Sequence, residues 1–136
     1  MPDIVVLPVG VVRSSLTDPR DAPRQPDEGA PPSRIELTPA AAAAAADLRV
    51  GDRVIVLTWL DRADRETLRV RPRDDPDRAE VGVFSTRSSH RPNPIGLHEV
   101  TITEVTAGVI TVGALEALDG TPVLDIKPVL TDVARR

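Results

Sequence analysis

The apolar residues of this chain fall in short bursts, most of them four to eight residues long, separated by glycine, proline and charged turns. Residues Ile4 to Arg13 form the first burst, β-branched and interrupted by Pro8, a pattern that predicts an edge strand or a bulge. Ile35 to Leu37 predicts a short strand. Arg53 to Leu60 (RVIVLTWL) is the most apolar run; it is too short for a typical helix and predicts a buried central strand, entered from a turn at Gly51-Asp52. The charged stretch Asp61 to Arg65 belongs at that strand's end, and Thr67 to Arg71 predicts a return strand. Glu99 to Thr106 alternates, with Val100 and Ile102 on one face. Ala107-Gly108 then turns the chain back into Val109 to Leu115, which is a hairpin signal. Leu118-Asp119-Gly120 is a further turn, and Thr121 to Ile126 is the last strand, ended by Lys127-Pro128. One segment reads differently. Thr38-Pro39 has the form of an N-cap and first helical residue, and Ala40 to Ala46 has the highest helix propensity available, so one short helix is expected to end near Asp47. Two stretches are expected as loops: proline-rich Ser14 to Ser33, and charged Arg73 to Glu80. The expected fold is mainly β, a small single-domain β-barrel (a sandwich being the other small all-β form) with one short helix, spanning residues 1–136.

Composition sharpens this picture. With 18 Val, 7 Ile and 11 Thr, about a quarter of the chain is β-branched, which suits a pleated surface better than a helical bundle. Phe84 and Trp59 are the only aromatics, so the core must be aliphatic. The absence of cysteine excludes disulfides, thiolate metal sites and cysteine nucleophiles. Two histidines, His90 and His98, are too few for a histidine-rich metal centre, and no metal is expected. No apolar run approaches a membrane span and the first residues lack a signal-peptide pattern, so a cytoplasmic protein without membrane contact is expected. A net charge of −4 argues weakly against non-specific nucleic-acid binding and leaves room for a local basic patch.

Such a patch is visible in one segment. From Val81 to His98 there is no acidic residue, in a chain that is acidic as a whole. Within it, Ser85-Thr86-Arg87-Ser88-Ser89-His90-Arg91-Pro92-Asn93-Pro94-Ile95-Gly96 reads as neither strand nor ordinary loop. Pro92 and Pro94 fix two φ angles and bias Arg91 and Asn93 towards extended conformations. The expectation is a stiff, extended loop presenting Arg87, His90, Arg91 and Asn93. Its guanidinium groups have two possible uses: gripping a carboxylate or phosphate of a ligand, or pairing with distant Asp and Glu. The spacing supports no nucleophile pair between His90 and the nearby serines, and no P-loop or dinucleotide fingerprint occurs.

The segment Gly82-Val83-Phe84-Ser85-Thr86-Arg87-Ser88-Ser89-His90-Arg91-Pro92-Asn93-Pro94-Ile95-Gly96-Leu97 resembles the signature of the TsaA-like (TrmO-type) tRNA methyltransferase family. Three further stretches agree with it: Val9 to Ser14, the Ala22-Pro23-Arg24-Gln25-Pro26 loop, and Leu118 to Pro128. The resemblance implies a small β-barrel that forms a homodimer, with S-adenosylmethionine bound near the subunit interface. It implies methylation of tRNA on N6 of a threonylcarbamoyladenosine next to the anticodon. Carried over by position, it implies cofactor contacts from Arg24, Gln25, Asp61, Arg62, Arg87, Leu97, Glu116, Ala117, Leu118 and Asp119. Arg91 and Asn93 are then candidate substrate contacts and His90 a candidate general base or proton relay, since a neutral imidazole accepts a proton near neutral pH. The alternative is a non-catalytic module that binds S-adenosylmethionine or another nucleotide.

Overall fold

In the computed structural model, which describes residues 1–17 and 31–131, six strands close into a barrel in the order β1-β2-β7-β6-β3-β8. These are β1 (Gly10–Arg13), β2 (Ser33–Leu37), β3 (Arg53–Trp59), β6 (Ile95–Thr106), β7 (Val109–Val112) and β8 (Pro122–Pro128). Two short strands, β4 (Arg69–Val70) and β5 (Val81–Gly82), pair with each other outside the barrel. All six barrel pairings are antiparallel.

Closure follows from alternation. On β3, Val54, Val56 and Thr58 point inward; on β6, Gly96, His98, Val100 and Ile102 do the same. Together with Val12, Ile35, Ile110, Val112, Leu115 and Val123 they fill the barrel with aliphatic side chains. Each fully buried Val or Ile contributes about 1.5–3 kcal/mol by leaving water. That interior needs no aromatic ring, which explains the composition.

Most predicted strands are present, with informative shifts. Ile4 to Val9 does not join the sheet as a strand: Ile4, Val5 and Leu7 are exposed, and pairing begins at Gly10. Pro8 has no N–H to donate, so the ladder starts only after it. The return strand expected over Thr67 to Arg71 shrinks to two residues. Strand β6 starts at Ile95, four residues earlier than Glu99, because the last residues of the signature segment already alternate. The alanine run forms a 3-10 helix, Pro39–Ala45, with no side-chain cap at Thr38. At seven residues it is below the length at which an α-helix is stable alone, and the tighter form is the usual outcome for short pieces. The hairpin between β6 and β7 turns through Ala107-Gly108, with Gly108 at φ +74° as a tight hairpin turn requires. Among the described residues no helix is long and apolar enough to cross a membrane.

Candidate functional site at one end of the barrel

Register alone sorts the connections. Arg13 lies opposite Arg34, Ser33 opposite Val112, Trp59 opposite Ile95 and Val11 opposite Pro122. One end of the barrel therefore carries the three long connections, residues 14–32, 60–94 and 113–121. The other carries 38–52 and the tight hairpin turn. We call them the loop end and the turn end. Every predicted site residue among the described ones belongs to the loop end: all lie in its connections except Leu97, near the start of β6. Arg24 and Gln25 lie outside the described residues; the described flanks of their connection, Thr17 and Pro31, are at this end.

The signature segment is wound around Arg91 instead of being extended. Val83–Ser85 forms a 3-10 turn, Thr86 Oγ1 donates to Val83 O, and Ser88 N donates to Thr86 Oγ1. The Arg91 guanidinium then donates to three backbone carbonyls, those of Thr86 (3.0 Å), Ser88 (2.9 Å) and Val83 (3.1 Å). Arg91 thus holds the loop together from inside, which corrects its expected role as a presented substrate contact. Neither of the two expected uses applies to it: its partners are carbonyls, not carboxylates. Arg87 is exposed and carries no hydrogen bond or ion pair among the described residues.

A second segment clasps the first. Arg65 stacks over the Trp59 ring at 5.0 Å and donates to Pro92 O (2.7 Å) and Asn93 Oδ1 (3.0 Å). Arg91 N donates to Asp64 O (3.0 Å), and Asp64 N donates to His90 Nδ1 (2.9 Å). Asn93 is therefore tied to Arg65 through its carbonyl oxygen. The Asp64 carboxylate accepts from Glu66 N and the Thr67 hydroxyl. Those two bonds hold its carboxyl below the ordinary carboxylate range.

The His90 contact fixes a tautomer. A backbone N–H has no alternative to donating, so Nδ1 accepts, and the neutral ring carries its proton on Nε2. The outer nitrogen is a donor. In this geometry His90 can give a hydrogen bond to a ligand through its outer nitrogen.

The remaining residues gather from two sides. Arg62 reaches Thr17 O (3.2 Å), linking the end of β3 to the exit of β1. Asp119 Oδ1 accepts from Ser14 N (3.0 Å), and Asp119 N donates to Leu16 O (2.7 Å). Asp119 Oδ2 carries no hydrogen bond among the described residues. Asp61 is exposed, Leu118 is half-buried, and Ala117 is buried in the core, where only its backbone could face a ligand. Leu97 points outward from β6 and is 46% exposed, alongside Ile95. An open groove of about 550 Å³ runs past Arg13, Ser14, Ser33 and Asp119. It meets only Asp119 of the predicted set, so the groove is one side of the loop end and not the whole site.

Sequence reasoning passed over one constellation. His98 lies inside the barrel, 4% exposed, between Thr58 Oγ1 (2.8 Å from Nε2) and Glu116 Oε1 (2.8 Å from Nδ1). Glu116 Oε2 is buried with no partner. The position of Gly96 follows from the same cluster: a Cβ there would lie 2.4 Å from Thr58 Oγ1 and 2.7 Å from His98 Nε2. The signal was available, since alternation with Val100 and Ile102 places His98 inward, and a buried imidazole needs partners.

With this arrangement established, the comparisons with known proteins fall into place. Residues 11–134 match the family described as the tRNA-methyltransferase O N-terminal domain. The chain is 43% identical over 131 residues to a probable S-adenosyl-L-methionine-binding protein of Methanothermobacter thermautotrophicus, covering 96% of this chain and 93% of that one. It is 46% identical over 120 residues to a protein of the same description from Archaeoglobus fulgidus, covering 88% of this chain but 32% of that one. A crystal structure of TrmO from Pseudomonas aeruginosa superposes with a TM-score of 0.76 at 32% identity, covering 95% of this chain and 57% of that chain. The chain therefore spans about a third of the Archaeoglobus relative and little more than half of the Pseudomonas one. It is a small β-barrel with its three long connections at one end, and it belongs to the tRNA-methyltransferase O N-terminal domain family.

Proposed function

We propose that the chain binds S-adenosylmethionine at the loop end and transfers its methyl group to N6 of threonylcarbamoyladenosine in tRNA. The observation that supports this reading is the presence of complementary groups, unengaged among the described residues, in the connections at one end of the barrel. The cofactor has a carboxylate, an ammonium, ribose hydroxyls and a purine. To meet it, the loop end offers a guanidinium at Arg87 and a carboxylate oxygen at Asp119 Oδ2, both without a partner among the described residues, the half-buried Glu116 carboxylate, and apolar surface at Leu97 and Leu118. Donors, acceptors and apolar area are all present, so the residues fit the group. Arg24, Gln25, Asp61, Arg62 and the backbone at Ala117 complete the proposed contact set.

When bound, S-adenosylmethionine would supply an electrophilic methyl group on a sulfonium: the C–S bond breaks as the N–C bond forms, S-adenosylhomocysteine is the leaving product, and the N6 proton passes to water. The chain's own part is alignment, because an in-line displacement is governed by how the reacting atoms are held. The Arg91-centred loop and the Arg65 clasp supply a rim that loses little freedom on binding. His90 Nε2–H and the Asn93 amide N–H donate to the modified base, and Arg62 and Arg87 attract its phosphates. The outward apolar side chains Leu57, Trp59, Ile95 and Leu97 on β3 and β6 support a second copy of the chain packing beside the site.

The test is transfer of label from methyl-labelled S-adenosylmethionine to tRNA with and without the threonylcarbamoyl group. Label confined to the modified tRNA supports the proposal; binding of the cofactor without transfer to any RNA overturns the catalytic part. A second reading, a non-catalytic S-adenosylmethionine-binding module, is favoured by one observation: relatives of matching length are described only as S-adenosyl-L-methionine-binding proteins. It requires binding without turnover in the same assay.

A further inference from the structure

The buried chain Thr58–His98–Glu116 has no part in the function as stated so far. Its order is hydroxyl, imidazole, carboxylate, the order of an acyl-transfer triad. Thr58 is fully buried inside the barrel, however, whereas the Glu116 side chain is 17% exposed, so a ligand can approach the chain from its carboxylate end and not from its hydroxyl end. The direction of the hydrogen bonds is set from the carboxylate end. Glu116 Oε1 can only accept, so His98 Nδ1–H donates to it; Nε2 is then bare and accepts from the Thr58 hydroxyl. Both nitrogens of His98 are engaged and its ring is fixed. Gly96 leaves the space that the Thr58–His98 bond occupies.

What this arrangement leaves over is one oxygen. Glu116 Oε2 is buried without a partner, although the Glu116 side chain as a whole retains 17% exposure just under the rim. A carboxylate oxygen in that condition is an unfilled acceptor, and the complement of such an acceptor is a cationic N–H donor. Glu116 also sits in a connection that starts under backbone strain, with Ala114 at φ +58°.

The geometry points to His98 as a positioning residue: backed by Thr58, it pins Glu116 Oε1 so that Oε2 is offered to the ammonium group of the ligand's amino-acid end. The assignment rests on the proposed S-adenosylmethionine reading and deepens it. It makes Glu116 the selector for a ligand that carries an α-amino group, and makes His98 the reason Glu116 can select.

The experiment compares two ligands by calorimetry, S-adenosylmethionine and 5′-methylthioadenosine, which lacks the amino-acid end. Wild-type protein, His98→Val, His98→Asn and Glu116→Gln are titrated with both, with thermal melts in parallel. His98→Val is expected to weaken S-adenosylmethionine binding at least tenfold and leave methylthioadenosine binding within twofold. His98→Asn keeps an N–H for Glu116 and is expected to recover most of the loss. Glu116→Gln preserves shape and should lose the preference for the amino-acid-bearing ligand even if His98→Val does not fold. Equal losses for both ligands would overturn the role of His98 while leaving the cofactor reading standing. Wild-type protein that binds neither ligand would overturn the cofactor reading itself.

Discussion

The two ends of this barrel are built by different means. At the turn end, the long-range closing contacts run from backbone to backbone: Leu37 N donates to Gly108 O, Gly51 N to Ile102 O, and Val129 N to Arg53 O, while the side chains of Arg49 and Asp52 bond only within their own turn. Alanines and a two-residue turn complete it, and the charged side chains there, such as Arg53 with Glu99, are exposed pairs. At the loop end, side chains meet backbone. Arg91 gathers three carbonyls, Arg65 and Arg62 each take one, and His90, Asp64 and Asp119 accept from amides. Backbone closure uses up its own donors and acceptors in fixed pairs. Side-chain closure leaves groups over, because a guanidinium or a carboxylate has more hydrogen-bonding capacity than one loop consumes. The difference explains how one small β-barrel can spend its polar groups on closure at one end and keep some of them over at the other.

The largest test of this contrast is Gly96→Ala. The added methyl collides with the Thr58–His98 bond from inside the barrel, and overpacking there is expected to cost about 1–3 kcal/mol, with more if the bond breaks. Gly108→Ala at the other end meets open space and loses about 1 kcal/mol through its positive φ alone, with ligand binding unchanged. Denaturant unfolding of the pair, with calorimetric titration, measures the split.

Next in size is Arg91. Arg91→Lys retains the charge but not the fork that reaches three carbonyls, so it should loosen residues 83–93 by about 1–3 kcal/mol and fail to rescue Arg91→Ala. Amide exchange across the segment would show it. Protection equal to wild type in the lysine variant would mean that charge, not geometry, holds the loop. Arg87→Ala is the converse: stability within about 0.5 kcal/mol of wild type, with a clear loss of affinity for S-adenosylmethionine.

Much of this division was legible beforehand. The β3 run, the β6–β7 hairpin and the last strand follow from alternation and turn residues, and the acid-free stretch marked the loop end. The hidden part was how that stretch is folded. Prolines at 92 and 94 suggested extension, but the fold of a loop is set by which carbonyls a guanidinium can reach in space, and no local pattern encodes that. His98 was missed for a related reason: its partners, Thr58 and Glu116, are 40 and 18 residues away.

The smallest expected effect is one of pH. Asp64 is held below the ordinary carboxylate range, so its contribution is complete above the unfolded value of about 3.9 and disappears as pH falls through the lower folded value. The bonds from Glu66 N and the Thr67 hydroxyl to the Asp64 carboxylate, which shape the 64–67 clasp, should stay closed through mildly acidic conditions and open only in stronger acid. Carboxyl resonances of Asp64 followed by NMR give the midpoint; a midpoint at or above the unfolded value would contradict the clasp.

Trp59, the sole indole in a chain that has no tyrosine, lies directly beneath the Arg65 guanidinium that grips Pro92 and Asn93. Nature has thereby installed a luminescent gauge at the lip of the cup, with nothing else in the molecule to blur its colour. Its emission reports in real time whether that lip is latched, without dye or label.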